Sequence, residues 1–215
     1  MPIVMLLGPT AAGKTDAAIA LAECLECHLI NMDSTQVYRG LDIGSAKPPK
    51  SLLARHPHAL IDIRDPAEPY TAADFVADAD REVRKALAAG RTPVLVGGTM
   101  LYARAFRDGL AALPRADPKV RAAIEAEAES QGWPKLHARL AEVDPVAAAG
   151  IHPHNGVRLQ RALEVFETTG RPISNYWKEH KQCPASERLG EPLLEFAVIP
   201  EDRAPLVEDL QRKAY

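Results

Sequence analysis

The 215-residue sequence contains no long apolar run. A helix needs roughly 20 consecutive apolar residues to cross a bilayer, so the sequence argues against a membrane-spanning protein. The first residues also lack the basic segment and cleavage site of a secretory signal, and lead directly into an apolar strand pattern. We therefore expect a cytoplasmic protein without a membrane segment.

Cysteine is scarce as well, with only Cys24, Cys27 and Cys183. An odd count argues against a disulfide framework and fits a reducing compartment. Cys24 and Cys27 form a C-x-x-C, but there is no second pair to complete a zinc site, which favours packing over a redox or metal role. The His-Pro-His segments at His56 and His152 lack a ligand cluster at metal spacing, and we interpret them as structural or solvated.

An excess of basic residues is also missing. The formal net charge is −3, which excludes a uniformly basic nucleic-acid-binding protein and requires any RNA contact to be local. The hydrophobic share of 47% is that of an ordinary globular protein. The length permits one sizeable core or a core with a smaller subdomain, and we find no internal repeat or low-complexity segment.

What the sequence does contain is a phosphate-binding loop of the form G-x-x-x-x-G-K-T. It lies between the apolar run 2–7 and a helix-forming run, 16–26. Backbone N–H groups, a helix N-terminus and the Lys14 ammonium together suit a di- or triphosphate, and the Thr15 hydroxyl suits Mg²⁺. The motif does not fix the reaction. The predicted phosphate site comprises Gly8, Pro9, Thr10, Ala11, Ala12, Gly13, Lys14 and Thr15.

Two further predicted strands carry polar residues to the same edge of the sheet. The strand 28–32 is followed by Asp33, and the apolar strand 92–96 is followed by two glycines and Thr99. In an open parallel α/β sheet, ligands bind at the carboxyl ends of the strands. A carboxylate at a strand end beside a phosphate loop favours a chemical role for Asp33 over a solvated turn.

The remaining pattern predicts a sheet interrupted by a helical block. We expect strands at 59–63 and 193–199, a helix that runs from its N-cap Thr71 to Gly90, and a helix at 100–107 capped by Thr99. Helices are predicted at 118–130, 135–142, 155–169 and 174–181, which indicates an inserted subdomain. The predicted domains are a first core part at 1–108, the insertion at 109–190 and a return to the core at 191–215.

The motifs, in this order, resemble the bacterial tRNA dimethylallyltransferase family, also called tRNA isopentenyltransferases. They read G-P-T-A-A-G-K-T, D-S-T-Q-V-Y-R-G-L-D-I-G-S-A-K-P, H-A-L-I-D-I-R-D-P, V-L-V-G-G-T-M-L-Y, D-P-V-A-A-A-G-I-H-P-x-N and R-L-Q-R-A-L-E-V. The resemblance runs along the whole chain. It implies an α/β fold with a P-loop NTPase-like parallel sheet core flanked by helices, and an inserted small α-helical subdomain that binds tRNA.

The resemblance also implies a reaction and its participants. A dimethylallyl group would move from dimethylallyl diphosphate to N6 of the adenosine immediately 3′ of the anticodon, with Mg²⁺ as cofactor and the tRNA anticodon stem-loop as partner; we expect a monomer. Lys14 would neutralise the leaving group, Asp33 would act as general base, Thr99 would lie at the reacting centre and Thr15 would hold the metal. The implied tRNA contacts are Asp33, Ser34, Thr35, Gln36, Thr99, Arg121, Val157, Arg158, Leu159, Gln160 and Arg161.

Two departures from the family pattern and two alternatives stay open at this point. Ser45 stands where the family commonly has Thr, and the family continues beyond Tyr215, so we expect a truncated chain ending in a helix that begins near Arg203. One alternative is a P-loop small-molecule or nucleotide kinase, although no acidic Walker B residue ends the strand 92–96. The other is a nucleotide-dependent RNA-binding module, which would leave Asp33 and Thr99 without a role.

Overall fold

A computed structural model describes residues 1–179 and 183–200. The described chain divides into two compact units, residues 1–110 with 183–200 and residues 111–179. The first unit contains a parallel sheet with helices, and the second is helical. The predicted insertion, 109–190, extends further than the second unit, because its last eight described residues, 183–190, belong to the first. The helix expected near Arg203 lies outside the described residues.

The sheet of the first unit has five strands in the order β3-β2-β4-β1-β5, and all of them are parallel. The carboxyl ends of β1, β2 and β4 therefore meet at one edge, where the phosphate loop, Asp33 and Thr99 follow. This is the arrangement that the sequence predicted. The strands are β1 (Ile3–Leu7), β2 (Cys27–Asn31), β3 (His58–Ala59), β4 (Thr92–Val96) and β5 (Leu193–Ala197).

Ten helices lie within the described residues. The predicted long helices are all present, and three short ones, α2, α7 and α10, were not predicted because each spans fewer than two turns and shows no clear periodicity. In chain order the helices are α1 (Lys14–Cys24), α2 (Lys50–Arg55), α3 (Ala72–Ala88), α4 (Met100–Asp108), α5 (Pro118–Gln131), α6 (Trp133–Val143), α7 (Pro145–Gly150), α8 (Gly156–Thr169), α9 (Ile173–Glu179) and α10 (Ala185–Leu189).

Both faces of the sheet are covered, since alternate strand residues point to opposite sides. On one face Leu6, Leu29 and Val94 pack with α1. On the other face Met5 and Ile30 pack in a core that includes residues of α3, α4 and α10. The capping box predicted at the start of α3 is confirmed: Thr71 Oγ1 accepts from the Asp74 amide at 3.2 Å, and the Asp74 carboxylate accepts from the Thr71 amide at 2.9 Å.

The strand predicted at 59–63 is wrong in its extent. Only His58 and Ala59 pair with β2. Leu60 and Asp62 have φ angles of 65° and 55°, in the left-handed region, and this breaks the extended chain. The amides of Ile63 and Arg64 instead donate to the Val37 carbonyl, each at 2.9 Å. This segment therefore supports the loop that follows β2.

The second unit has its own core, in which the largest fully buried side chains come from α5, α6 and α8. Asp144 precedes α7 and is almost fully buried, and its carboxylate accepts from the amides of Ala147 at 3.0 Å and Ser174 at 2.9 Å. These two bonds fix the start of α7 against the start of α9. None of the helices in the described ranges is long and apolar enough to cross a membrane. The core side chains are Ile124, Leu136, Leu140, Leu159 and Leu163.

Gly97→Ala should destabilise the first unit by about 2 kcal/mol or more, the range for a severe steric conflict in a packed site. A Cβ atom at Gly97 would lie 2.0 Å from the Met32 carbonyl oxygen, so the ends of β2 and β4 would have to separate. Gly150→Ala is the matched control, because a Cβ there meets nothing within 4 Å. Urea unfolding of both variants measures the effect, and equal stabilities would contradict the close approach at Gly97.

Candidate active site

The phosphate loop connects β1 to α1 and holds the Lys14 side chain over its own backbone. Lys14 Nζ donates to the carbonyls of Gly8 at 2.9 Å and Pro9 at 2.6 Å. An ammonium has three donors, and among the described residues only these two carbonyls accept from it, so one N–H is available to a ligand. Gly13, at φ 81°, occupies the N-cap position of α1, where a left-handed conformation suits glycine. The loop thus combines a helix N-terminus with a partly buried cation.

Lys14 and Asp33 belong to one electrostatic environment. Burial lowers the pKa of Lys14, and the nearby Asp33 carboxylate acts in the opposite direction without reversing the shift. Among the described residues, Asp33 therefore offsets only part of the effect of burial on the ammonium. An anionic ligand in the loop would supply the missing negative charge.

The Asp33 carboxylate is oriented by its own turn. Its Oδ1 accepts from the amides of Thr35 at 2.8 Å and Gln36 at 3.3 Å, a typical Asx turn. Within the described part of the chain no donor contacts Oδ2. One oxygen thus fixes the carboxylate at the end of β2, while the other can accept a hydrogen bond or a proton from a ligand.

Thr99 has a different contact from the one expected. It occupies the N-cap position of α4, but its side chain makes no capping hydrogen bond. Its hydroxyl instead accepts from the Ser34 amide at 3.0 Å and lies 3.4 Å from the Ser34 hydroxyl. The predicted N-cap position is confirmed, but the Thr99 hydroxyl does not cap the helix, since the Ser34 amide supplies a competing donor. Thr99 links the residues that follow β2 and β4.

A pocket of about 590 Å³ joins the phosphate loop to Asp33 within the first unit. Ser34 and Thr99 lie beside it and are not among its lining residues. Its other wall comes from the segment 44–49 with Leu52 and His58, which are not among the predicted site residues. The only signal for that wall was the motif D-I-G-S-A-K-P. The lining residues include Thr10, Ala11, Gly13, Lys14, Thr15, Asp33, Gln36, Ser45, Ala46 and Lys47.

The donor set of the pocket is compatible with Mg²⁺ bound through a phosphate. Among the described residues, no group of three or more His, Cys, Asp and Glu side chains could hold a metal alone. Thr15 lines the pocket and brings a hydroxyl to the phosphate loop. Mg²⁺ favours oxygen ligands, keeps several waters and is commonly completed by substrate phosphates, so this sparse set fits it.

The three cysteines differ in exposure, and packing, the role that the sequence favoured for the C-x-x-C, holds for the partly buried Cys27 but not for the exposed Cys24. All three are free thiols. Burial raises the pKa of Cys27, as does the neighbouring Glu26, which makes this thiol a poorer nucleophile.

The arginines expected to contact RNA differ in how free they are. Glu164, almost fully buried in the second unit, accepts from Arg121 Nε at 2.9 Å and Arg161 Nη1 at 2.6 Å. Arg161 also donates to the Pro114 carbonyl at 2.6 Å. Burial opposes ionisation of Glu164, but these hydrogen bonds outweigh it and lower its pKa. The two guanidinium groups therefore have a structural function in the described chain.

The predicted RNA-contacting segment 157–161 is only partly exposed. Val157 is 81% exposed and Arg158 is exposed, whereas Leu159 is fully buried in the core of the second unit. Gln160 donates to the Arg121 carbonyl at 3.2 Å. A contact through the Leu159 side chain is thus incompatible with this packing. The exposed surface of the segment is the start of α8.

Arg158→Gln should make the logarithm of RNA affinity less steep in the logarithm of salt concentration, by about one unit or less, as expected for one lost phosphate contact. Arg161→Gln should change this slope less and lower the thermal midpoint more, because it weakens the bonds to Glu164 and Pro114. Binding of tRNA at several salt concentrations, with thermal unfolding of each variant, separates the two. Identical slopes for Arg158→Gln and the parent would show that Arg158 is only solvated.

Comparison with known proteins supports the sequence resemblance. The profile of the IPP transferase family matches residues 36–214. The chain is 58% identical over 186 residues to tRNA dimethylallyltransferase 2 of Hahella chejuensis, covering 86% of this chain and 56% of that protein. It is 56% identical over 212 residues to tRNA dimethylallyltransferase of Thioalkalivibrio sulfidiphilus, covering 99% of this chain and 65% of that protein. The chain thus spans less than two thirds of these relatives.

Solved structures agree in fold. A eukaryotic dimethylallyltransferase captured acting on tRNA matches with a TM-score of 0.80 at 25% identity, over 99% of this chain and 51% of that one. The tRNA delta(2)-isopentenylpyrophosphate transferase of Staphylococcus epidermidis matches with a TM-score of 0.56 at 28% identity, over 99% of this chain and 68% of that one. The parallel sheet, the phosphate loop and the profile match together show that this chain belongs to the IPP transferase family.

Proposed function

We propose that this protein transfers a dimethylallyl group from dimethylallyl diphosphate to N6 of the adenosine immediately 3′ of the anticodon in tRNA. The observation that carries the proposal is the pocket that joins the phosphate loop to the Asp33 carboxylate. An anionic leaving group and a proton acceptor are the two requirements of alkyl transfer to a weakly basic amine. The relatives named tRNA dimethylallyltransferase support this choice of donor and acceptor.

The phosphate loop would bind the diphosphate and favour its departure. The amides at the start of α1 and the free N–H of Lys14 face an anion there, and they interact more strongly as negative charge grows on the leaving oxygen. The C–O bond to the dimethylallyl group breaks as positive charge spreads over the allyl unit. Mg²⁺ bound beside Thr15 would supply further positive charge to the diphosphate oxygens.

Asp33 would activate the attacking nitrogen. The lone pair of the adenine amine is delocalised into the ring, so the amine becomes a competent nucleophile only as it loses a proton. Oδ2 of Asp33 would take that proton while Oδ1 stays bonded to the Thr35 and Gln36 amides. The N–C bond forms, the proton ends on the carboxylate and diphosphate leaves. To reach the pocket, the adenosine must be extruded from the anticodon-loop stack.

The remaining parts of the proposal concern the cellular compartment, the oligomeric state and the contacts with tRNA. We infer that the protein acts in the cytoplasm, where its three free cysteines are compatible with reducing conditions, and that it acts as a monomer. Arg158 and Val157, exposed at the start of α8, would contact the tRNA. The second unit would thereby contribute to RNA binding.

Mass spectrometry of tRNA incubated with the protein, Mg²⁺ and dimethylallyl diphosphate tests the proposal. The expected result is the mass gain of one dimethylallyl group on the adenosine 3′ of the anticodon. A kinase would instead transfer phosphate from ATP to a small acceptor and leave the tRNA mass unchanged. Phosphoryl transfer without prenylated tRNA would refute the proposed function.

A further inference from the structure

Lys47 lines the pocket, and its ammonium is buried among three oxygen atoms. Its side chain is 4% exposed, and Nζ donates to the Tyr38 carbonyl at 3.0 Å and to Oδ1 of Asp42 and of Asp62, each at 2.7 Å. Three donors thus meet three acceptors. Burial acts to lower the pKa of Lys47, but the two carboxylates outweigh it and raise the pKa. We call Lys47 with these three acceptors the Lys47 clamp.

The Lys47 clamp fixes the wall of the pocket formed by Ser45 and Ala46. It ties this loop to Asp62, in the segment that follows β3. Ala46 and Asp62 have φ angles of 52° and 55°, which non-glycine residues adopt rarely and retain where surrounding contacts enforce them. Ser45 Oγ also donates to the Leu41 carbonyl at 2.6 Å. The carbonyls of Ser45 and Ala46 therefore hold set positions.

These two carbonyls determine the orientation of the Gln36 amide. Gln36 Nε2 donates to the Ser45 carbonyl at 3.1 Å and to the Ala46 carbonyl at 3.2 Å. A carbonyl oxygen can only accept, so the amide nitrogen must be on this side. Gln36 lines the pocket, and no donor of the described residues contacts its Oε1. The polar atom that Gln36 offers to a ligand is therefore an acceptor.

We propose that Lys47 is a positioning residue that makes the pocket selective for a purine with an amino group at position 6. By holding the Ser45 and Ala46 carbonyls, it keeps Oε1 of Gln36 as an acceptor for one amino N–H. Asp33 takes the other amino proton in the reaction, which is the part of this inference that rests on the proposed function. A 6-oxo purine would place an oxygen against Oε1, and two acceptors repel each other.

The test compares the binding of two anticodon stem-loop RNAs that differ only in adenosine or inosine at the target position. The parent should prefer adenosine by roughly tenfold to a hundredfold, the discrimination typical of a hydrogen bond to a base edge. Lys47→Met should reduce this preference to within about threefold, because the Gln36 amide can then rotate. Lys50→Met, an exposed lysine three residues further on, is the matched control and should keep the parental preference.

Several outcomes would overturn the proposal. The first is that the parent binds the adenosine and inosine RNAs equally well. The second is that Lys47→Met keeps the parental ratio of the two affinities, even if both RNAs bind more weakly by the same factor. If Lys47→Met does not fold, Gln36→Met tests the same acceptor, and a preserved preference in that variant has the same meaning. The outcome is separable from the proposed function, which stands or falls on prenylation of tRNA by the parent.

Discussion

Asp33→Asn is expected to lower kcat by roughly two to four orders of magnitude, the range typical for a general base. Asparagine keeps an oxygen that can accept from the Thr35 and Gln36 amides, so the Asx turn at the end of β2 should survive. What is lost is the charge and basicity of the second carboxylate oxygen. Single-turnover prenylation of an anticodon stem-loop at saturating dimethylallyl diphosphate measures the chemical step directly.

The matched control is Asp65→Asn. Asp65 makes the same kind of turn, with Oδ1 accepting from the Ala67 amide at 2.9 Å, but it does not line the pocket. Its substitution should leave kcat within about twofold of the parent. Diphosphate affinity and the thermal midpoint of Asp33→Asn should also stay close to the parental values. A near-parental rate for Asp33→Asn would mean that another group removes the proton from N6.

Lys14→Ala is expected to weaken the binding of dimethylallyl diphosphate by roughly a hundredfold or more, since charge-assisted hydrogen bonds to a partly buried anion are among the strongest single contacts. The fold should persist, because the side chain occupies the pocket wall and its removal opens no core cavity. Isothermal titration calorimetry measures the affinity, and circular dichroism checks the fold.

Lys50→Ala serves as the control for overall charge, because Lys50 is exposed at the start of α2. Its removal should leave the affinity for dimethylallyl diphosphate unchanged. The salt dependence gives a second check, since removing one cation from the site should make the affinity less sensitive to ionic strength. Retained affinity in Lys14→Ala would refute the assignment of the phosphate loop. An equal loss in both variants would indicate only long-range electrostatic attraction.

The phosphate loop and the order of the main elements were predictable because their signals are local. The loop motif spans eight residues from Gly8 to Thr15, and the buried strand 92–96 shows a continuous apolar pattern. Asp33 could be placed at the site because parallel strands end at a common edge.

The contacts that set the site in detail were not predictable from local patterns. Lys47 reaches Asp62 across 15 positions and Arg121 reaches Glu164 across 43, so neither pair has a spacing that the sequence could reveal. Thr99 shows that a long-range contact can also replace one predicted from a local pattern. Its position and residue type favour a helix cap, but the Ser34 amide, 65 positions away, competes successfully for its hydroxyl.

The neighbours of β1 in the sheet have a consequence for folding during synthesis. Its partner β5 begins at Leu193. The chain after β5 also approaches the phosphate loop closely, since a Cβ atom added to Gly8 would lie 2.4 Å from the Val198 carbonyl oxygen. At a translation rate of about 5–20 residues per second, β1 waits roughly 10–40 s for this partner. The helices of residues 111–179 have mostly local contacts and are complete earlier. We expect the ribosome-bound chain to gain resistance to protease first within residues 111–179. It should bind diphosphate only after β5 has left the exit tunnel.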